Sequence, residues 1–375
     1  MKIYMNHIPW DIGHSTDRRM RLVFKTLEDK YDLDFYYPHA WSASVKPVLS
    51  HLFNAVRRRL PLFAGKQKLG FEITHDRIVS EKEFESRHFD VVYSQGVIPV
   101  SSKKGVPLLC DLSFIDPENT DAYVTEQSIA RWEKLVSDMR EVATKRCIIN
   151  LRSDYSLKLV HELIPGYEHK FVNLPFLLPT LKALPQGEVI GKHTGVGVFK
   201  IAFIGAQARR KGIDLLLKAL GILCNERGVR NVELHIVSGF TDGQVDIPGN
   251  LPVVNHGARD YQYAMDVLKS SHIYVMPSYF ESFGLSYVEA LANGCVVLAR
   301  NFEPQREIVD YGKAGFVVNL DAKDIADKIL RVLNMDEAER KQVALNGLRR
   351  FLVKYEYSVV AERWYEAFRK CALID

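Results

Sequence analysis

Short apolar runs alternate with longer stretches of helical periodicity along most of the chain. Lys200-Ile-Ala-Phe-Ile204 stops at Gly205, and Ile213 to Arg227 then carries leucines at helical spacing. Val232 to Val237, His272 to Met276, Cys295 to Ala299 and Gly315 to Val318 repeat the apolar run, with helical patterns between them. Lys2 to Met5, Asp32 to Tyr36, Phe89 to Tyr93, Pro107 to Cys110 and Cys147 to Asn150 set the same rhythm earlier. Mostly apolar strands alternating with helices predict an α/β protein whose parallel sheets are covered on both faces. Ala183 to Val198 breaks the rhythm. It has glycines at 187, 191, 195 and 197 and no apolar period, and it reads as a linker. The expected organisation is a doubly wound, Rossmann-like domain over 1–182, a linker over 183–198, a second such domain over 199–355, and a last helix within 356–375. Ligands of such sheets lie outside the carboxyl ends of the strands, here in a cleft between the domains.

Composition adds boundaries. A chain of 375 residues can bury two cores, and 47% hydrophobic with 26% charged residues is ordinary for a globular protein. No apolar run reaches about 18 residues, so no membrane-spanning helix is expected. Met1 to Met5 reads directly as a strand rather than as a signal peptide. Five cysteines (Cys110, Cys147, Cys224, Cys295, Cys371) stand singly, which points to a reducing, cytoplasmic compartment and away from a zinc site. A net charge of +4 is too small to imply nucleic acid, and nothing resembles a base-reading module.

The distribution of charge is more informative. Phe35 to Phe71 contains no acidic residue but holds Lys46, Arg57, Arg58, Arg59, Lys66 and Lys68. Val48, Leu49, Leu52, Phe53, Val56 and Leu60 form one helical stripe within it. A basic amphipathic helix over 46–68 suits an anionic membrane surface, here the cytoplasmic face. It equally suits a core-facing helix with a solvated basic side.

Two clusters carry candidate chemistry. Glu281-Ser282-Phe283-Gly284-Leu285-Ser286-Tyr287-Val288-Glu289 follows the apolar run ending at Met276 and Pro277. Ser286 and Glu289 spell a capping box, which predicts a helix from about Ser286 to Gly294 with Glu289 as its cap. Glu281 then reads as a solvated loop acid. A second reading follows from position. The turn leaves a strand's carboxyl end, and the amides of Phe283, Gly284 and Leu285 at a helix N-terminus favour phosphate. Carboxylates beside them accept hydrogen bonds from sugar hydroxyls. The other cluster, Gly205-Ala-Gln-Ala-Arg209-Arg210-Lys211-Gly212, places three cations before a helix, which suits a diphosphate or else forms a solvated basic turn. It is not a Walker A loop, because no GK[ST] occurs. Asp32-Leu-Asp34 opens a strand and reads as a polar edge rather than a metal motif. Gly195-Val-Gly197 precedes a strand, so it is no dinucleotide loop. The histidines, His256 among them, show no metal-ligand spacing.

These residues together resemble the donor domain of retaining glycosyltransferases of family 4, which have the GT-B fold. The family's E-x7-E motif matches Glu281 and Glu289. Its strand-Gly-(basic)-Lys-Gly-helix motif matches Ile204-Gly205 to Gly212. Gly294-Cys-Val-Val297 is similar to its G-x-P-V strand, with Val296 in place of the proline. Glu307-Ile-Val309 and Gly312 to Val317 match its E-I-V…G-x-x-G-F-V. The resemblance covers about 199–355 and implies roles. Glu289 would hold the donor ribose, Glu281 the transferred sugar, and the Phe283 to Leu285 amides phosphate or sugar oxygens. Lys211, with Arg209 or Arg210, would neutralise the departing diphosphate, so that neither metal nor cofactor is required. The last helix, with Trp364, Tyr365 and Phe368 at helical spacing, would dock back across the first domain.

The first domain departs from the family pattern. Trp10-Asp-Ile-Gly13-His14-Ser15 has one glycine where the acceptor-side loop often has two, and Asp90 to Gly96 lacks the family's histidines. Asp111 stands where a strand-end histidine is usual. It reads either as a base or hydroxyl-positioning group, or as a strand-end residue capping the next turn. The function implied is transfer of a hexose-type sugar from a nucleotide-sugar to a glycan or lipid-linked acceptor in cell-surface polysaccharide or glycolipid assembly. A nucleotide-sugar epimerase or hydrolase of the same fold, and a non-catalytic nucleotide-sugar-binding protein, are the alternatives; the intact Glu281 and Glu289 pair opposes the latter.

Overall fold

A computed structural model describes residues 1–6, 24–36, 88–95, 98, 106–112, 126–239, 245–279, 281 and 283–374. The first half contains β1 (Lys2–Asn6), β2 (Asp34–Tyr36), β3 (Val91–Gln95), β4 (Leu108–Asp111), α1 (Glu126–Ala143), β5 (Cys147–Asn150), α2 (Asp154–Leu163) and β6 (Phe171–Val172). The second contains α3 (Gln186–Lys192), β7 (Phe199–Ile204), α4 (Ile213–Gly221), β8 (Val232–Val237), β9 (Val253–Gly257), α5 (Tyr261–Ser270), β10 (Ile273–Met276), α6 (Leu285–Ala292) and β11 (Val296–Arg300). It continues with α7 (Gln305–Ile308), β12 (Phe316–Val318), α8 (Ala322–Asn334), α9 (Glu337–Lys354) and α10 (Tyr357–Ala372). Each half builds a six-stranded sheet, ordered β2-β1-β3-β4-β5-β6 and β12-β11-β10-β7-β8-β9. Every pairing is parallel.

A parallel sheet must be covered on both faces, and the strand residues divide accordingly. Ile3, Met5, Val91, Tyr93, Leu109 and Ile148 enter one core of the first domain. Their neighbours Tyr4, Val92, Leu108, Cys110, Cys147 and Ile149 enter the other. Helix α1 covers the second of these faces with Val136, Met139 and Val142. The first is covered by α10, through Val360, Ala361, Trp364, Phe368 and Cys371. The Trp364 indole N–H donates to the Pro175 carbonyl at 2.9 Å. Burying side chains such as Trp364 and Phe368 contributes roughly 1.5–3 kcal/mol each. The last helix therefore docks on the first domain, as its aromatic spacing and the family resemblance implied.

Some elements differ from expectation. The stretch expected to be a linker contains α3, and Leu184 and Val189 lie in the second domain's core. Its Val189 packs against Gly294, where an added Cβ would come within 2.5 Å of Val189 Cγ2. A single buried side chain in α3 leaves no apolar period to read. Strands β6 and β9 were not anticipated. The first has two residues, and the second is a half-exposed edge interrupted by Asn255 and His256. The helix expected over 213–227 is α4 followed by a π-helical turn at Ile222–Glu226.

Two histidines under the second sheet make its stability acid-sensitive. His193 donates from Nε2 to the Gly294 carbonyl (2.9 Å), and His272 Nδ1 accepts from the Lys200 amide at 3.0 Å. Burial pushes His193 down to about 3 and His272 to about 4. Nearby Lys192 and Arg340 act in the same direction on both, and Lys200 on His272. The unfolded rings protonate near pH 6.5 while the folded ones stay neutral, so their contribution is complete above that pH and lost as pH falls toward 4. The thermal midpoint should decline progressively below pH 6.5, and less steeply in a His272→Gln variant. A midpoint that is flat between pH 7 and 4.5 would contradict this assignment.

Candidate functional site

The second sheet runs outward in both directions from β7 and β10. Its order places β8 and β9 on one side of this pair and β11 and β12 on the other. The loops that leave β7 and β10 therefore diverge and open a crevice at their carboxyl ends. Strand β7 ends at Ile204 and β10 at Met276, so the two clusters singled out in the sequence are these two loops.

Glycines make room within and between these loops. Gly205 has φ +142°, and a Cβ there would fall 2.5 Å from Lys211 Nζ. The missing side chain is the space that Lys211 occupies. Gly212 has φ +79°, and its Cβ would lie 2.1 Å from the Pro277 carbonyl oxygen. The Tyr279 amide donates to the Arg210 carbonyl at 2.9 Å, and the Ser278 hydroxyl donates to it at 3.2 Å. Across this seam, Glu281 Oε2 lies 3.4 Å from Arg210 Nη1 and 3.9 Å from Lys211 Nζ. Burial pushes the Lys211 amine down from the ordinary lysine range, and the charge of Glu281 partly restores it. Gln305 fixes the turn by donating to the Glu281 carbonyl at 2.9 Å.

Helix α6 begins at Leu285, and its N-cap is Gly284, at φ +95° and with no side-chain cap. The capping-box reading therefore fails. Ser286 lies inside the helix, where its hydroxyl meets Met276 Sδ at 3.5 Å, and the left-handed glycine takes the cap position. Glu289 is 7% exposed on a helix whose Tyr287, Val288, Ala290 and Leu291 are fully buried. Its carboxylate lines the crevice.

The crevice has a volume of about 960 Å³ and is lined by Gly205, Lys211, Glu281, Gly284, Leu285 and Glu289. Phe283 joins them, and so does Phe176, from the segment following the first sheet. Arg210, rather than Arg209, stands on Glu281. Arg209 lines a separate cavity of about 620 Å³ with Asp214 and Tyr279. Ser282, Gly13, His14 and the basic stretch 46–68 lie outside the described residues. Among the described residues, no group of three His, Cys, Asp or Glu side chains is arranged to hold a metal ion.

Asp111 is not an open base. It is 2% exposed, and its carboxylate accepts from the Tyr93 hydroxyl (2.7 Å), Asn150 Nδ2 (2.9 Å) and Arg152 Nη2. The parallel register sets Asp111 beside Gln95 and Asn150, so the ends of β3, β4 and β5 satisfy it. Sequence reasoning missed Arg152 and Phe176. The only signal for Phe176 was an apolar run between Pro175 and Pro179, where the chain crosses between domains.

Residues 198–335 match the family model of the group 1 glycosyl transferases. A capsular polysaccharide biosynthesis glycosyltransferase, CapM of Staphylococcus aureus, is 26% identical over 185 residues, which is 46% of this chain and 47% of that protein. The chain thus spans about half the length of this relative. Sucrose-phosphate synthase from Thermosynechococcus elongatus superposes with a TM-score of 0.65 at 16% identity, covering 99% of this chain and 98% of that one. The Anabaena protein Alr3699/HepE, solved with UDP and glucose, superposes with a TM-score of 0.62 at 17% identity, covering 99% and 100%. The architecture is that of the GT-B fold.

Lys211 offers a direct test of the site. Its charge is buried at a cost, and Arg210 remains beside Glu281 if it is removed. Lys211→Met should raise the thermal midpoint and weaken binding of inorganic pyrophosphate at least tenfold, about 1.4 kcal/mol. Calorimetric titration and thermal unfolding measure the two effects. A lower midpoint with unchanged binding would make Lys211 a structural partner of Glu281 alone.

Proposed function

We propose that this chain, which belongs to the group 1 glycosyl transferases through its second domain, moves a hexose-type sugar from a nucleotide-sugar donor to an acceptor hydroxyl with retention at the anomeric carbon. The observation that carries this reading is the meeting of Lys211, Glu281 and Glu289 around one crevice, with Arg210 beside Glu281. Glu289 accepts hydrogen bonds from the ribose, and Glu281 faces the transferred sugar. As the glycosidic bond breaks, positive charge grows on the sugar ring and negative charge on the diphosphate. In this proposal Lys211, Arg210 and the amides at the start of α6 stabilise the leaving group as its charge develops. In this mechanism these cations do the work of a divalent metal. The match to a capsular polysaccharide glycosyltransferase supports a glycan or lipid-linked acceptor, held by the first domain. An epimerase or hydrolase of the same fold would release free nucleotide without any acceptor.

Donor and leaving-group roles separate kinetically. Glu289→Gln should raise the donor KM, whereas Glu281→Ala should lower kcat more than binding, because the sugar changes in the transition state and the ribose does not. Lys211→Ala should cost about 2–4 kcal/mol in kcat/KM. Activity should survive EDTA. A panel of nucleotide-sugars assayed with and without glycan acceptors decides the matter. Wild-type turnover in both glutamate variants, or activity that depends on added Mn²⁺, would sink this mechanism.

The basic stretch 46–68 places the reaction at an anionic bilayer in this proposal, with a lipid-linked acceptor at the cytoplasmic face. Each basic residue near such a surface contributes roughly 1 kcal/mol, so Arg57, Arg58 and Arg59 together amount to about two decades in partitioning. Co-sedimentation with anionic vesicles should fall accordingly in a triple Arg→Glu variant and in high salt. Equal pelleting of both proteins would leave a soluble acceptor as the better reading.

A further inference from the structure

We propose that Arg152, a residue of the first domain, positions the donor-side turn of the second domain through a line of edge-on aromatic rings. The significance of that turn rests on the donor reading above. The contacts run in one line. The Arg152 guanidinium is paired with Asp111 and lies 3.4 Å from the centroid of the Phe176 ring. Phe176 packs edge-on against Phe283 at 5.3 Å and 62°. Phe283 is 4% exposed, directly precedes the Gly284 N-cap of α6, and packs edge-on against Tyr355 at 6.0 Å. Both Phe176 and Phe283 line the crevice with Glu281 and Glu289.

Arg152 is a poor choice if its task is stability alone. It is 4% exposed, and its Nε and Nη1 have no hydrogen-bond partner among the described residues. Leaving buried donors unmet is costly, and an apolar side chain would often fill the space of a buried ion pair at no loss. Its backbone is also strained, at φ +66°, and is held there as its amide donates to Asn150 Oδ1 at 3.3 Å. Strain and unmet donors are tolerated where a geometry is needed. Here the geometry is a flat cation, locked by Asp111, against which the Phe176 ring lies face-on. An aliphatic side chain would fill the volume and let the ring slide. With the ring fixed, Phe283 and the following turn have one seat against the first domain. The chain of rings crosses the domain boundary, so the donor turn is completed by the acceptor domain.

Amide hydrogen exchange on the ligand-free full chain tests this without reference to any donor. In Arg152→Met, and in Phe176→Leu, amides of 283–289 should exchange about tenfold faster while β7 and β8 keep wild-type protection. Because both act through one line of contacts, the double variant should be no worse than either single one. Arg152→Lys keeps the charge beside Asp111 but not the plane, so it should recover the thermal midpoint and not the protection of the turn. Affinity for UDP, measured by calorimetry, should fall about tenfold in Arg152→Met. Wild-type exchange across 283–289 in Arg152→Met, with a lowered midpoint and loosened β4 and β5, would overturn the proposal and leave Arg152 a structural ion-pair partner. Failure of the unsubstituted protein to bind UDP would count against a uridine-type donor, while the exchange result would still decide the role of Arg152.

Discussion

The adjacency of β7 and β10 as parallel neighbours is the constraint from which the donor site follows. Their register pairs Ile201 with Ile273 and Ala202 with Tyr274, so both strands end at one level. Parallel strands send their following loops to the same edge, and the change of direction in strand order splits those loops apart. Gly205, Lys211, Glu281 and Glu289 are separated in sequence by up to 84 positions (289 − 205). They meet because this one pairing fixes where two loops begin. The residues without side chains matter as much as the charged ones. Gly212 allows the two loops a distance that a Cβ would forbid, and Gly205 leaves the space that Lys211 fills within its own loop.

A second layer of dependence joins the halves. Lys354, at the end of α9, reaches Asp154 at the start of α2 (3.0 Å) and Glu307 of α7 (2.5 Å). Glu307 also accepts from the Asp154 amide at 2.8 Å, in the first turn of α2. Burial pushes the Glu307 carboxyl up, and Lys354 opposes that shift. The seam between domains is therefore polar here and aromatic at Phe176 and Phe283. A polar, ion-paired seam resists separation less than an apolar one of equal size, because each charge regains water on parting.

Much of this was legible in the sequence because it depends on period and punctuation. Cys147 to Asn150 and Val232 to Val237 are strands at the bounds their apolar runs suggested. Glu281 and Glu289 flank a strand-to-helix turn because Pro277 and Gly284 end one element and begin the next. What stayed hidden has a common physical cause. Edge strand β9 and two-residue β6 bury too little to impose a pattern. Helix α3 buries one side chain, Val189, and so shows no apolar period. The capping box at Ser286 and Glu289 was misleading because a glycine at φ +95° starts the helix earlier than any side chain could. The pairing of Asp111 with Arg152 joins the end of β4 to the loop after β5, 41 residues away, and no local signal reports so distant a partner.

The position of α10 also bears on the order in which the molecule forms. Part of the wall on one face of the first domain's sheet is supplied by Val360, Trp364 and Phe368, far in sequence from the strands they cover, beside Phe24, Leu27, Leu174 and Leu177. During synthesis the second domain's strands, β7 to β12, and their helices are all made before that wall exists. Until residues 357–372 leave the ribosome, the face that carries Ile3, Met5, Val91, Leu109 and Ile148 lacks the cover of Val360, Trp364 and Phe368. Such contacts of long sequence separation form late, and nascent chains that wait for them need protection from one another. The first domain to be translated is thus the last to be finished.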